Sequence, residues 1–192
     1  MKIIQIIYSL KSKIFIYLYR KYFRGIGKNV YINSLLKLNG AKNISIGDNV
    51  CIEYKTWLAA IPLTGSSECT LEIGDECSIG HFNHIFATKK IVISKKVLTA
   101  DNVYISDNLH SYENINLPIK EQPIKQLNSV YIGEGTWIGE NVCIIGASIG
   151  KHCVIGANAV VTKDIPDYSI AVGVPAKVIR KYNHNKKQWD RI

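Results

Sequence analysis

The sequence predicts an all-β fold, a parallel β-helix, and three observations carry that prediction. Between Tyr131 and Val161 the chain repeats with a beat of six. Ile132-Gly133-Glu134-Gly135-Thr136-Trp137 is followed by Ile138-Gly139-Glu140-Asn141-Val142-Cys143, and Ile149-Gly150-Lys151-His152-Cys153-Val154 by Ile155-Gly156-Ala157-Asn158-Ala159-Val160. Each unit opens on an aliphatic residue and carries a small or β-branched residue fifth. A related phrase announces each new coil: Ile44-Ser45-Ile46-Gly47, Leu71-Glu72-Ile73-Gly74, Ile91-Val92-Ile93-Ser94 and Val130-Tyr131-Ile132-Gly133. Neither the strand period of two nor the helical period of 3.6 yields this beat, whereas stacked hexapeptide coils do.

The residue types follow from the geometry of such a coil. The first residue of a hexad fills the interior, the fifth points inward near a corner, and Gly relieves the bend. Three hexads close a turn, and each turn is stabilised by its neighbours along the stack. Residues 1–24 precede the array and are apolar, aromatic and basic, from Ile3, Ile4, Ile6, Ile7, Tyr8 and Leu10 to Tyr22 and Phe23. Lys11 and Lys13 interrupt the run, which is too short for a spanning helix and lacks a signal-peptide cleavage site. It reads as an amphipathic helix that either caps the β-helix or lies on a membrane surface. Hexads begin at Ile44 and give about five coils, with a polar insertion from Leu63 to Thr70. The beat then holds through Ile105-Ser106-Asp107-Asn108-Leu109-His110 and lapses until Ile132, so residues 110–129 leave the prism as a long loop of the functional kind. After Val161 the array decays, and a short helix is expected from Ala176. The domain organisation is therefore a helical segment 1–27, a β-helix 28–175 and a basic tail 176–192.

The 192 residues suffice for one domain with a sizeable core, and the formal charge is +9. Lys2, Lys11, Lys13, Arg20, Lys21, Arg24 and Lys28 precede the first acidic residue, Asp48, and Lys177, Arg180, Lys181, Lys186, Lys187 and Arg191 close the chain. A phosphate-rich cofactor or an anionic membrane suits such patches. Nucleic acid is the weakest partner, because no stacking platform or groove-reading motif accompanies the charge. The five cysteines show no metal-ligand spacing, so no metal is expected, and an odd count without a signal peptide points to the cytoplasm.

The array, the segment Ser106-Asp107-Asn108-Leu109-His110-Ser111-Tyr112-Glu113 and the ending Gly173-Val174-Pro175-Ala176-Lys177-Val178-Ile179-Arg180 together resemble hexapeptide-repeat acyltransferases. The likeness is greatest to O-acetyltransferases of bacterial polysaccharide biosynthesis, related to maltose and galactoside acetyltransferases, and covers residues 28–182. It implies a left-handed β-helix, an exception to the usual right-handed crossover. It also implies a homotrimer with acetyl-CoA between adjacent prisms.

A sugar hydroxyl needs a general base to attack a thioester, and imidazole titrates in the useful range. By similarity His110 is that base, transferring directly without an acyl-enzyme, with His84 the runner-up. The phrase Phe82-Asn83 resembles the place where relatives set an Asn beside the base. Asp107, Tyr112, Glu113 and His84 are candidates for acceptor binding. For acetyl-CoA the matching positions are Trp137, Glu140, Ala157, Thr162, Lys163, Lys177 and Arg180, with the three cations suited to nucleotide phosphates. The family often has Asp-His-x-His where this chain has Asp107-Asn108-Leu109-His110. The expected enzyme acetylates a sugar hydroxyl of a surface-polysaccharide precursor. Small acceptors (an antibiotic, a nucleotide-linked amino sugar or serine) and a non-catalytic scaffold remain the rival readings.

Overall fold

The computed structural model describes residues 2–192, with side chains described from residue 10 onward. The side chains of Ile3, Ile4, Ile6, Ile7 and Tyr8 therefore lie outside the described ones. Helix α1 (Lys2–Tyr19) precedes six stacked coils. Coil one contains β1 (Gly25–Ile26), β2 (Tyr31–Ile32) and β3 (Lys37–Asn39); coil two contains β4 (Ile44–Ile46), β5 (Cys51–Ile52) and β6 (Trp57–Ala60). Coil three holds β7 (Thr70–Ile73), β8 (Ser78–Ile79) and β9 (His84–Ala87), and coil four β10 (Lys90–Ile93), β11 (Leu98–Thr99) and β12 (Tyr104–Ser106). A hairpin of β13 (Asn108–His110) and β14 (Ile124–Gln126) follows. Coil five resumes with β15 (Val130–Ile132), β16 (Trp137–Ile138) and β17 (Cys143–Ile145), and coil six ends in β18 (Val154–Ile155) and β19 (Val160–Val161). The chain closes with β20 (Ser169–Val172), β21 (Lys177–Asn183) and β22 (Gln188–Arg191).

The coils form a prism with three parallel faces. Face one is β1-β4-β7-β10-β15, face two β2-β5-β8-β11-β16-β18-β20 and face three β3-β6-β9-β12-β17-β19. In-register pairing stacks like on like: Leu58, Ile85, Ile105, Ile144 and Val161 form one inward column, each fully buried. Burial of each such side chain is worth about 1.5–3 kcal/mol.

The array is longer than the repeat suggests. Coil one was hidden because Leu36, at a fifth position, is large and points out, 61% exposed. Past Val161 the stack continues, since Ile165 bridges Ile149 on face one and β20 pairs with β18. The helix expected from Ala176 is absent. Residues 177–183 alternate in exposure as strand β21, which pairs antiparallel with β20 and β22 and covers an edge that would otherwise stand open.

The corner chemistry also differs from expectation. Gly74 does not have a left-handed backbone; a Cβ there would meet the next coil's backbone, 2.7 Å from Lys95 N and 2.8 Å from Ser94 C. The left-handed residue comes two places later, at Asn29, Asn49, Glu76, Lys96, Asn102, Asn141, His152 and Asn158. Asn tolerates this region through local hydrogen bonding. Glycine thus permits close stacking of corners, and its second neighbour makes the turn.

Helix α1 caps the first coil. Ser12 Oγ, buried, accepts the Ile32 N–H at 2.8 Å, while Phe15 and Ile16 pack on the core. No helix among the described residues is long and apolar enough to cross a membrane.

On the outside of face three, Lys37, Trp57, His84 and Tyr104 stand in one register column. Trp57 and His84 stack at 3.9 Å and 7°, Tyr104 meets His84 edge-on at 5.1 Å, and Lys37 sits over Trp57. Burial in this stack, aided by the Lys37 charge, pushes the His84 pKa below its ordinary 6.5. The folded protein thus keeps His84 neutral where the unfolded chain would protonate it. Its contribution is intact above the unfolded value and is lost as pH falls below about 6.5. We expect His84→Phe, which keeps a ring in the stack, to lessen the drop in Tm between pH 7 and pH 5.5. An equal drop in both proteins would show that the stack does not hold His84 neutral.

Candidate functional site

Four departures from the regular coil share one edge, where face three turns into face one. These are the segment 61–69 between β6 and β7, the corner at residues 88–89, the 107–129 hairpin region and the turn 162–164. A buried carboxylate, Asp107, together with Gln126 ties the first three together. Asp107 Oδ1 accepts Thr88 N (2.7 Å) and Asn108 Nδ2 (3.1 Å), and Oδ2 accepts Lys89 N (2.8 Å) and Lys90 N (2.7 Å). Gln126 on β14 completes the knot: its Nε2 donates to Asp107 O at 2.7 Å and its Oε1 accepts from Thr64 Oγ1 at 2.5 Å. Asp107 is fully buried. Its expected role in acceptor binding gives way to a positioning one, because both carboxylate oxygens are committed to backbone and side-chain donors.

Asn83 also moves out of the site. It is 1% exposed inside the prism, with Nδ2 donating to Thr99 Oγ1 (2.7 Å), Gly80 O (3.1 Å) and Ala100 O (3.1 Å), while Oδ1 accepts Val103 N (2.5 Å). A fully bonded interior amide cannot touch a substrate. His84 is not brought to His110 either: its Nε2 is buried in the aromatic column without a partner.

His110 ends β13, opposite Ile124, and is exposed. Alone of the five histidine side chains, that of His110 makes no hydrogen bond, ion pair or ring contact among the described residues. Tyr112, 62% exposed, follows it. Glu113 pairs with Lys125 across the hairpin and accepts the Tyr112 N–H at 3.0 Å. Those contacts, the Lys125 hydrogen bond foremost, bring the Glu113 pKa down to about 2. Glu113 is thus a permanent anion that holds the hairpin and does not orient the imidazole.

The positions expected for acetyl-CoA divide between two edges. Trp137 points out of face two, 50% exposed, beside Leu98 of the preceding coil. Glu140 and Ala157 are exposed at the corners where face two turns into face three. Lys177 and Arg180 lie on β21, opposite Val172 and Ile170. Thr162 and Lys163 occupy the other edge, the one that carries the His110 hairpin. Within one chain, face three separates His110 from Glu140 and Ala157, a strand of three or four residues or about 10 Å.

Sequence reasoning missed a cleft of about 880 Å³ between the 61–69 segment and face one, on the hairpin edge. Arg24, Lys42, Lys89 and Lys90 line it together with Glu68, Glu72 and several hydroxyls. Asp107, by gripping the backbone of Lys89 and Lys90, sets where those two cations start. The insertion at Leu63–Thr70 was a readable signal, but its hydrogen bond to Gln126 was not.

Burial pushes the Cys51 and Cys69 thiols up to about 12 and Cys77 to about 11, and all five cysteines are free. Those three thiols are thereby poor sources of a thiolate nucleophile. No group of three or more potential metal ligands occurs among the described residues.

Comparison with known proteins places this geometry. The family described as hexapeptide repeat of succinyl-transferase matches residues 129–163. A probable acetyltransferase of Mycobacterium tuberculosis is 40% identical over 156 residues, which cover 81% of this chain and about half, 49%, of that protein. Galactoside O-acetyltransferase of Lactococcus lactis is 30% identical over 180 residues, covering 88% of this chain and 72% of that one. Among solved structures, AntD, an N-acyltransferase from Bacillus cereus seen with dTDP and coenzyme A, superposes with TM-score 0.72 at 21% identity, covering 88% of this chain and 90% of that one. The prism is accordingly the left-handed parallel β-helix expected from the resemblance. The chain belongs to the hexapeptide-repeat acetyltransferase family.

Proposed function

We propose that this chain is an acetyl-CoA-dependent O-acetyltransferase that modifies a sugar hydroxyl of a bacterial surface-polysaccharide precursor. The observation that carries the reading is the state of His110, which is exposed and unengaged at the root of the long hairpin. Its neutral imidazole accepts the acceptor's hydroxyl proton as the oxygen attacks the thioester carbonyl carbon. The C–S bond then breaks, the acetyl ester forms, and the departing CoA thiolate takes the proton back from the imidazolium. The raised cysteine pKa values favour this direct transfer over an acyl-enzyme.

The reading includes a homotrimer. Bringing a neighbour's Glu140–Ala157 edge against this chain's hairpin edge closes the 10 Å gap left by face three, and threefold rotation satisfies all such contacts at once. Acetyl-CoA then lies between prisms, with Trp137 along it and Lys163, Lys177 and Arg180 at its phosphates. The acceptor enters from the cleft of Arg24, Lys42, Lys89 and Lys90, whose mixture of cations, carboxylates and hydroxyls suits a glycan that carries negative charge. Tyr112 offers an apolar face to a sugar ring. The working place is the cytoplasmic side of the membrane, with residues 1–24 as the contact.

His110→Ala should lower kcat about 10²–10⁴-fold, the usual worth of a positioned base. Calorimetry should find acetyl-CoA binding little changed; near-normal turnover would remove His110 from the role. Replacing Lys177 and Arg180 together with Ala should raise the KM for acetyl-CoA roughly tenfold or more, through loss of charge-assisted bonds, and spare that of the acceptor. Unchanged constants for both substrates would put the nucleotide phosphates elsewhere.

A further inference from the structure

Helix α1 has two faces, and the cap explains only one. Ser12, Phe15 and Ile16 turn toward the first coil. At 100° per residue, Leu10, Ile14, Tyr17 and Leu18 fall on the opposite side. They are 57%, 51%, 86% and 54% exposed, an apolar stripe that no described residue covers. Exposed cations flank it, Lys13 and Arg20 on one side and Lys11 on the other.

Beside the stripe is a second feature with its own chemistry. A pocket of about 420 Å³ opens between α1 and the corner Gly27–Val30, and Lys13, Tyr17, Arg20, Lys28 and Asn29 line it. No carboxylate is among its lining residues, although Asp48, the first acidic residue of the chain, accepts the Lys28 backbone N–H at 2.7 Å, and one Arg20 nitrogen donates to Ile26 O at 2.6 Å. Neither the Lys13 nor the Lys28 ammonium pairs with a carboxylate among the described residues. A pocket whose charged lining side chains are Lys13, Arg20 and Lys28, opening next to exposed leucine, isoleucine and tyrosine, asks for a partner with phosphate beside hydrocarbon.

We infer that the outward face of α1 docks on an anionic phospholipid bilayer, with the apolar stripe in the acyl boundary and headgroup phosphates in the Lys13–Arg20–Lys28 pocket. The helix lies in the plane of the surface, which matches its amphipathic pattern and the absence of a membrane-spanning helix among the described residues. This deepens the membrane contact proposed above and names its surface. It does not depend on acetyl transfer, because it is read by binding alone.

The test is co-sedimentation of the full chain with vesicles of phosphatidylglycerol and phosphatidylcholine, against vesicles of phosphatidylcholine only. Binding should require the anionic lipid and weaken with added salt. Tyr17→Ser together with Leu18→Ser should abolish most of it, and Lys13→Gln with Lys28→Gln should weaken it roughly tenfold or more. All four side chains are exposed, so circular dichroism and Tm should stay unchanged and exclude misfolding. Equal binding to both vesicle types, or binding insensitive to these changes, overturns the inference. If the stripe variants instead lower the molar mass seen by light scattering while vesicle binding persists, the stripe is a contact between copies and the inference also falls. Loss of acetyltransferase activity in solution with vesicle binding intact would count against the proposed reaction and leave the docking surface standing.

Discussion

The constraint on which this structure depends is the parallel pairing of each coil with the next. A single turn of two- to four-residue strands buries nothing by itself and satisfies none of its backbone groups on its outer edges. Stacking does both at once: the column Leu58–Ile85–Ile105–Ile144–Val161 fills the interior while each strand's N–H and C=O groups bond along the axis. Corners must then approach to stacking distance, so a Cβ at Gly74 or Gly139 would meet the adjoining backbone at 2.7 Å. Carboxylates reinforce these bends, as where Asp75 accepts the Asp48 N–H and Asp167 the Lys151 N–H.

Such a stack leaves variation possible only at its corners, and this chain concentrates it on one edge. The segment 61–69, the Thr88–Lys90 corner and the 107–127 hairpin would be three independent loops without Asp107 and Gln126. With them they form one hydrogen-bonded unit that fixes the root of the strand bearing His110. A general base on a flexible loop would lose the near-attack geometry that transfer requires. The buried carboxylate thus acts on the proposed chemistry through position, at a distance from the reacting atoms.

Much of the fold was legible because the six-residue beat reports a constraint repeated in every coil. The parts that were not legible break that repetition. Leu36 disguised the first coil, and β21 was misread as helix because Lys177–Asn183 has no hexad signature; its exposure alternates only because β20 offers an edge. At the site, the lapse of the beat after His110 marked the excursion on which that residue lies. It misplaced Asp107 and Asn83, since a polar residue near a motif reads alike whether it faces a ligand or the prism interior. The aromatic column of Trp57, His84 and Tyr104 was in principle visible, each residue holding the same outward place in successive coils. The cleft of Arg24, Lys42, Lys89 and Lys90 was not, because its members come from different coils.

The proposed site is incomplete in one chain, since face three separates the His110 edge from the Glu140–Ala157 edge. Subunit complementation tests this most directly. His110→Ala chains lack the base, and Ala157→Trp chains should block the groove expected to hold acetyl-CoA; each alone should be inactive. Co-refolded in equal amounts, random trimers would pair an intact hairpin edge with an intact groove at about a quarter of sites. The account predicts recovery of about that fraction of wild-type acetyl transfer. No recovery from mixed trimers of confirmed mass would contradict it and place base and cofactor within a single chain.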